Sequence, residues 1–196
     1  MRTLTVTEHL SLDGVMQSPS GPDEDPSGGF EHGGWHVPYF DESFARIVGG
    51  SIPDTGAYLF GRRTYEAMAA HWPHAPEDDM FAQTLNQTPK YVASTTLSEP
   101  LAWQNTTLLD GDVAEAVAAL KDEPGGDIVV LGSGNLVQTL IENELVDEYA
   151  LMIDPLILGS GKRLFAGGAR RLPLRLVDTK TTDSGVLFAT YRRERG

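Results

Sequence analysis

The sequence contains no cysteine, few cationic residues and no long apolar run. Without cysteine, the 196-residue chain can form neither a disulfide nor a thiolate metal site, and it has no thiol nucleophile. This composition suits a reducing compartment. The first 14 residues lack the apolar stretch of a signal peptide, and no apolar run reaches the roughly 18 residues that cross a bilayer. We therefore expect a soluble cytoplasmic protein.

Positive charge is scarce throughout the chain. Fifteen Lys and Arg residues are outnumbered by 28 Asp and Glu residues, which gives a formal net charge of −13. A molecule of this sign repels nucleic acid and anionic membranes, so we expect neither as a partner. A small anionic ligand would bind only where local positive charge captures it. Arg62 and Arg63, adjacent in the stretch YLFGRRTYEAM, are the candidates for such charge.

The order of the predicted strands and helices indicates an α/β fold. Strand and helix patterns alternate as far as residue 145. Two alternating strands then close the chain as an antiparallel hairpin, joined by Asp183, Ser184 and Gly185. We predict one domain over residues 1–196, with a mixed, mostly parallel sheet that is flanked by helices.

A long irregular connection, residues 11–39, follows the first predicted strand. It is rich in glycine and proline and also contains Met16, Trp35 and Tyr39. Loops longer than roughly 12–15 residues inside a compact domain are usually functional lids or disordered segments. We interpret this connection as a lid over a ligand, and a flexible acidic insertion is the alternative.

Three predicted strand ends carry groups that suit an anionic ligand. Residues 61–64 (GRRT), 94–95 (ST) and 132–135 (GSGN) each follow a short apolar strand. Two of these segments run directly into helices, whose first turns offer unpaired N–H donors and about half a positive charge. Because parallel strands end at one edge of a sheet, the segments predict a site for a ligand with several phosphates, such as a dinucleotide. Glycine turns with a purely structural role are the alternative.

Other nucleotide and hydrolase motifs do not fit this sequence. The stretch GSGNLV has Val137 where a dinucleotide fingerprint has its third glycine, and it lies late in the chain, which counts against a Rossmann dehydrogenase. The sequence contains no Walker motif and no G-x-S-x-G elbow. The histidine pairs His32/His36 and His71/His74 lie on segments that cannot align them as ligands, so we expect no metal.

Five segments, taken together and in order, resemble the dihydrofolate reductase-like superfamily. They are SLDGVM, LFGRRTYE, YVASTT, VVLGSGNLVQTLI and VDEYALMIDPLILGSGKRLF. The resemblance is to the branch that contains the C-terminal reductase domain of the bifunctional riboflavin-biosynthesis deaminase/reductase, and it spans nearly the whole chain. It implies a dihydrofolate reductase-like fold, NADPH as the cofactor and a homodimer.

The resemblance also implies which residues hold the cofactor. Arg62 and the hydroxyls of Ser94 and Thr95 would bind the 2′-phosphate. Thr64 and the backbone of Arg63 would bind the pyrophosphate. The other implied cofactor-binding residues follow the strand ends or line the nicotinamide: Gly14, Val15, Gly61, Leu131, Gly132, Ser133, Gly134, Asn135 and Leu136.

The acceptor would lie against the nicotinamide, beneath the long connection. We predict a mostly apolar pocket there, formed by Val15, Met16, Trp35 and Phe40. Hydride transfer needs little acid–base machinery, but it can require one proton. Asp41 or water would supply that proton, and Asp41 would then need a pKa raised by burial. A role for Asp41 as a helix N-cap explains its position equally well.

The implied activity is that of an NADPH-dependent oxidoreductase, similar to dihydrofolate reductase or 5-amino-6-(5-phosphoribosylamino)uracil reductase. The substrate would be a small heterocyclic acceptor (pterin- or pyrimidine-like) or a carbonyl-type acceptor. Val15 and Leu131 stand where riboflavin reductases usually carry a basic and an acidic residue, and both changes count against a phosphoribosyl-pyrimidine substrate. The alternative is a dimeric NADPH-binding module without turnover.

Overall fold

The computed structural model describes residues 1–50, 55–76, 78–165 and 171–194. In chain order, the strands are β1 Leu4–Ser11, β2 Thr55–Gly61, β3 Lys90–Ala93, β4 Thr106–Leu109, β5 Asp127–Leu131, β6 Glu148–Asp154, β7 Leu174–Thr181 and β8 Leu187–Arg193. The helices are α1 Glu42–Gly49, α2 Arg62–His71, α3 Met80–Gln87, α4 Val113–Asp122 and α5 Gly134–Glu142. Single 3-10 turns occupy Ser27–Gly29, Val37–Tyr39 and Trp72–His74.

The strands of the described ranges form one eight-stranded sheet in the order β4-β3-β2-β5-β1-β6-β8-β7. The first six in that order are mutually parallel, whereas β8 runs antiparallel to β6 and β7 antiparallel to β8. This arrangement confirms the predicted α/β fold with its C-terminal hairpin. The carboxyl ends of all six parallel strands consequently lie at one edge of the sheet. The assignment of residues 1–196 to one domain stays a prediction.

The alternating sequence of β1 separates the two faces of the sheet. Leu4, Val6 and Leu10 are buried in a cluster that includes side chains of α4 and α5. Thr7 and His9 point to the opposite face, since successive strand residues alternate. On that face His9 pairs in register with a β6 residue that packs against α1. The central strand therefore carries a polar side chain toward α1, at the end where the parallel strands finish.

Side-chain caps explain where two of the helices begin. Residues 112–123 (DVAEAVAALKDE) predict a helix with Asp112 as its N-cap and Glu115 three residues later. The structure confirms this start of α4, because Asp112 accepts hydrogen bonds from the backbone N–H groups of Ala114 and Glu115. Asp79 caps α3 in the same way, but the sequence analysis did not predict this helix. It is only eight residues long and buries only Ala82 and Leu85.

None of the helices in the described part of the chain is long and apolar enough to cross a membrane.

Candidate active site

The three strand-end segments that the sequence grouped together are neighbours in the sheet, because β3, β2 and β5 are adjacent. The backbone N–H of Gly61 donates a hydrogen bond of 2.9 Å to Ser133 Oγ, which joins the end of β2 to the start of α5. A Cβ atom built on Gly132 would lie 3.5 Å from Thr64 Cγ2. Gly61 pairs in register with Ala93, the last residue of β3. The segments therefore border one groove.

Most of the predicted site residues line this groove. They are Met16, Phe40, Gly61, Arg62, Arg63, Thr64, Ser94, Thr95, Leu131, Gly132, Ser133, Gly134, Asn135 and Leu136.

Two helices begin at the groove without a side-chain cap. Gly61 is the N-cap residue of α2 and has no side chain to offer. Ser133 is the N-cap residue of α5, with a left-handed φ of 69°, and its hydroxyl makes no capping bond. The N–H groups of both first turns are thus left without a cap side chain, and each helix presents the positive end of its dipole. Gly132, also left-handed at φ 59°, lets the chain turn between β5 and α5.

Two arginines supply the positive charge at this place. Arg62 Nη1 lies 2.9 Å from Glu66 Oε2, one helical turn further along α2. Such exposed pairs contribute only about 0.3–0.5 kcal/mol, so an anionic ligand can compete for Arg62. Arg63 is exposed beside it. On the neighbouring strand end, the Ser94 hydroxyl accepts backbone N–H bonds from Thr96 and Leu97, which fixes its position.

The structure corrects two of the predicted site residues in the long connection, Val15 and Trp35. Trp35 is 6% exposed, packs with Val15 and Phe30, and donates its indole N–H to Gln17 O at 2.7 Å. Val15 is fully buried in that cluster. Val15, Phe30 and Trp35 pack into a local core, so Val15 and Trp35 support the connection and do not line the groove. Gly14 accepts a hydrogen bond from the backbone N–H of Leu164, and its contact with the nicotinamide stays a prediction.

Ion pairs hold the connection against the segment after β6. Lys162 Nζ lies 2.6 Å from Asp25 Oδ2, and Arg163 Nη2 lies 3.0 Å from Asp13 Oδ2. Met16 meanwhile reaches the start of α5, where its Sδ would be 3.1 Å from a Cβ built on Gly134. The connection thus closes one side of the groove through Met16, which agrees with its interpretation as a lid.

Asp41 is a helix cap, and the structure corrects its assignment as a proton donor. Its carboxylate accepts hydrogen bonds from the Ser43 hydroxyl and from the backbone N–H groups of Phe44 and Ser184. These bonds, led by the one from Ser43, lower the pKa of Asp41 below its ordinary value. A carboxyl group that donates a proton near neutral pH needs a raised pKa, whereas the pKa of Asp41 is lowered.

We expect Asp41→Ala to lower the thermal unfolding temperature and Asp41→Asn, which keeps a capping oxygen, to lower it less. The depressed pKa means that the Asp41 carboxylate stabilises the fold fully above its ordinary pKa of 3.8 and loses that contribution as the pH falls. The difference in unfolding temperature between the natural chain and Asp41→Asn should therefore shrink below about pH 4. An Asp41→Ala variant that unfolds at the unchanged temperature would contradict the capping role.

The sequence analysis missed a cluster formed by His9, His36 and Asp154. His36 Nδ1 lies 2.8 Å from Asp154 Oδ1, His9 Nδ1 lies 4.0 Å from Asp154 Oδ2, and the two rings are 4.1 Å apart. His9 and His36 line the groove. In the sequence His36 pairs with His32, four residues before it, whereas in the structure its partners are His9 on β1 and Asp154 on β6. The only signal in the sequence was a histidine on the polar face of the first strand.

The fold defines the class: an α/β protein with a groove at the carboxyl ends of its parallel strands, which is where open α/β sheets bind ligands. The model of the RibD C-terminal domain matches residues 2–188, and the chain belongs to that family. This confirms the family predicted from the five segments. Membership indicates a reductase, and reductases of this kind typically use a nicotinamide cofactor.

Individual relatives are similar over much of the chain. The uncharacterized protein YyaP of Bacillus subtilis (strain 168) is 33% identical over 136 residues, which cover 68% of this chain and 71% of YyaP. YwjB of the same strain, also uncharacterized, is 27% identical over 128 residues, or 65% of this chain and 68% of YwjB.

Two solved structures share the fold. A candidate riboflavin biosynthesis protein from Shewanella sp. PV-4 has a TM-score of 0.69 at 20% identity, with 98% of this chain and 99% of the other covered. A pyrimidine reductase-like protein from Corynebacterium diphtheriae has a TM-score of 0.65 at 13% identity, with 100% and 93% covered.

Proposed function

We propose that this protein is an NADPH-dependent reductase that transfers a hydride to a small heterocyclic acceptor, pterin- or pyrimidine-like, or to a carbonyl-type acceptor. The observation that carries the proposal is the convergence of three strand-end segments on one groove. The chain is otherwise strongly acidic, with a net charge of −13. A cofactor with three phosphates requires such a local concentration of donors, because the rest of the surface repels it.

The pyrophosphate would lie between the starts of α2 and α5. Both helices offer uncapped first-turn N–H groups, and Thr64 adds a hydroxyl beside Gly132. Gly132 places no side chain between the starts of α2 and α5, so the backbone there can approach a phosphate closely. Residues 132–136 would continue along the pyrophosphate toward the nicotinamide ribose.

The 2′-phosphate of NADPH would lie at the ends of β2 and β3. Arg62 and Arg63 supply charge there, and Ser94 and Thr95 supply hydroxyls. Charge-assisted hydrogen bonds of this kind contribute roughly 1.5–3 kcal/mol each. This part of the groove gives a physical reason for the chain to favour NADPH over NADH.

The nicotinamide and the acceptor would occupy the part of the groove nearest β1 and β6. Met16, Phe40 and Met152 give this part an apolar lining. When bound, NADPH supplies the hydride. The chain's own residues bind the cofactor, stack the acceptor against it and exclude water.

We expect NADPH to raise the thermal unfolding temperature and to be oxidised in the presence of an acceptor. A ligand at 100 times its Kd stabilises the folded state by about 2.7 kcal/mol. Unfolding would be followed by fluorescence, with NADH for comparison, and oxidation at 340 nm. The absence of any NADPH-dependent shift would contradict the proposed cofactor site.

The second candidate function is a dimeric NADPH-binding module without turnover. It predicts the same shift in unfolding temperature but no oxidation of NADPH with any acceptor. The pair of measurements therefore separates binding from catalysis. Without Asp41 as a proton donor, binding without turnover gains support. His9 and His36 line the groove, however, and a histidine can supply a proton in place of Asp41.

We also propose that the protein forms a homodimer, as its family resemblance implies. One of the two edge strands of the described sheet, β7, has a free edge, and Leu176 and Val177 on it are 49% and 41% exposed. An exposed edge with apolar side chains can pair with a second chain. The cytoplasmic location stays a prediction.

A further inference from the structure

Three polar atoms of the His9–His36–Asp154 cluster are buried without a hydrogen-bond partner in the described part of the chain. They are His9 Nδ1, His36 Nε2 and Asp154 Oδ2. An unsatisfied buried polar group destabilises the folded state, so three of them together call for an explanation. Two of the atoms, His9 Nδ1 and Asp154 Oδ2, face each other across 4.0 Å. A proton on His9 Nδ1 would give both atoms a partner once the gap closes.

Exposure distinguishes the three side chains. Asp154 is completely buried and His36 is 7% exposed, whereas His9 is 22% exposed and lies at the groove. Because His9 Nδ1 is turned toward Asp154, its other ring nitrogen, Nε2, is left for a ligand in the groove. The Phe44 ring stacks on His9 at 5.8 Å and shields the cluster on the α1 side. His9 is therefore the member that can touch a substrate.

We propose that His9 is a catalytic acid that donates a proton from Nε2 to the acceptor, with Asp154 and His36 as its positioning residues. This inference rests on the proposed reductase function. Asp154 would balance the charge of the imidazolium through His9 Nδ1. His36, hydrogen-bonded to the other carboxylate oxygen, would hold that carboxylate in place.

The proposed step consumes one hydride from NADPH and one proton from His9. The acceptor's C=N or C=O carbon gains the hydride from NADPH, and the π electron pair moves to the acceptor's nitrogen or oxygen. That atom forms a bond to the proton as the N–H bond of His9 breaks. The products are the reduced acceptor, NADP⁺ and neutral His9, which water then reprotonates.

The charged environment of His9 sets the direction of the pH dependence. The titratable groups that face its ring are Asp154 on β6 and His36 in the connection, while α1 presents the ring of Phe44. Glu8, its neighbour on β1, points to the other face of the sheet. Burial lowers the pKa of His9, and Asp154 acts against this lowering. The rate of NADPH oxidation should thus fall as the pH rises through the pKa of His9.

The first test measures NADPH oxidation by His9→Gln and by His74→Gln, a control at an exposed histidine that does not line the groove. The acceptor probes are a 7,8-dihydropterin, methylglyoxal and menadione. We expect His9→Gln to lower kcat by about 100-fold or more, with the Kd for NADPH unchanged and the fall in rate with pH lost. His74→Gln should keep the natural kcat and the natural fall in rate with pH. A His9→Gln variant with the natural kcat and pH profile overturns the inference.

The second test needs no acceptor, so it separates this inference from the proposed function. NMR titration of ¹⁵N-labelled histidines would follow His9 and His36 in the natural protein and in Asp154→Asn. We expect the pKa of His9 to fall in Asp154→Asn, because the carboxylate that raises it is lost. An unchanged His9 titration contradicts the inference, as does a His9 spectrum that changes on dialysis against EDTA, since that would make the cluster a metal site. If no probe is reduced but the pKa of His9 falls in Asp154→Asn, the coupling of His9 to Asp154 stands, while the proposed function fails and the catalytic step fails with it.

Discussion

Replacing Gly132 by valine should abolish the binding of both NADPH and NADH. Gly132 has a φ of 59°, a left-handed conformation that costs an L-residue about 1–2 kcal/mol. Its Cβ would already touch the Thr64 side chain at 3.5 Å. The two γ-carbons of valine would fill the space between the end of β5 and the start of α2, where both cofactors would place their pyrophosphate. Fluorescence titration of each cofactor should show no saturable binding.

A loss of binding could also follow from a loss of folding, so this prediction needs a matched control. Gly111 has a similar φ of 73° and open space around its Cβ position, and it lies between β4 and α4. Gly111→Val should show a comparable decrease in unfolding temperature while it still binds NADPH. If Gly132→Val folds and binds both cofactors normally, the turn after β5 has a structural role only.

Replacing Arg62 by alanine should weaken the binding of NADPH far more than the binding of NADH. Arg62 directly follows β2 and Ser94 directly follows β3, its neighbour in the sheet, and both residues line the groove. NADH lacks the 2′-phosphate that these two residues would bind. Loss of one charge-assisted hydrogen bond corresponds to an increase of about 10- to 100-fold in the Kd for NADPH. The Kd for NADH should change by less than about threefold.

Two further variants on α2 refine the Arg62 prediction. Glu66→Gln removes the carboxylate that pairs with Arg62, and it should strengthen NADPH binding slightly because Arg62 is then free. Arg63→Ala shows whether the second arginine shares the 2′-phosphate. If Arg62→Ala loses equal affinity for NADPH and for NADH, Arg62 does not recognise the 2′-phosphate.

The parts of the fold that local chemistry determines could be predicted from the sequence. Asp112 as a cap, the alternating β1 and the C-terminal hairpin each depend on neighbouring residues. The grouping of the strand ends also followed from the sequence, because parallel strands must finish at one edge. This one rule of topology predicts that Arg62, Ser94 and Gly132 lie close together, and it requires no information on their side-chain contacts.

The parts that depend on long-range packing could not be predicted. Val15 and Trp35 are apolar in a long connection, and nothing in their spacing indicates that they pack on each other and away from the groove. His36 contacts Asp154, which is 118 residues away in the chain. Asp41 has the residue type of a proton donor, and its three hydrogen bonds decide that it is a cap. For Val15, Trp35 and His36 a distant partner determines the role, whereas two of the three bonds to Asp41 are local and only the bond from Ser184 comes from a distant residue.

The most direct test of the account is a crystal structure of the protein grown with NADPH. We predict the 2′-phosphate at Arg62 and Ser94, the pyrophosphate between the starts of α2 and α5 with its oxygens next to Gly132, and the nicotinamide near Met16. A cofactor bound anywhere else, such as on the α4 face of the sheet, would contradict the claim that these strand ends form one cofactor site.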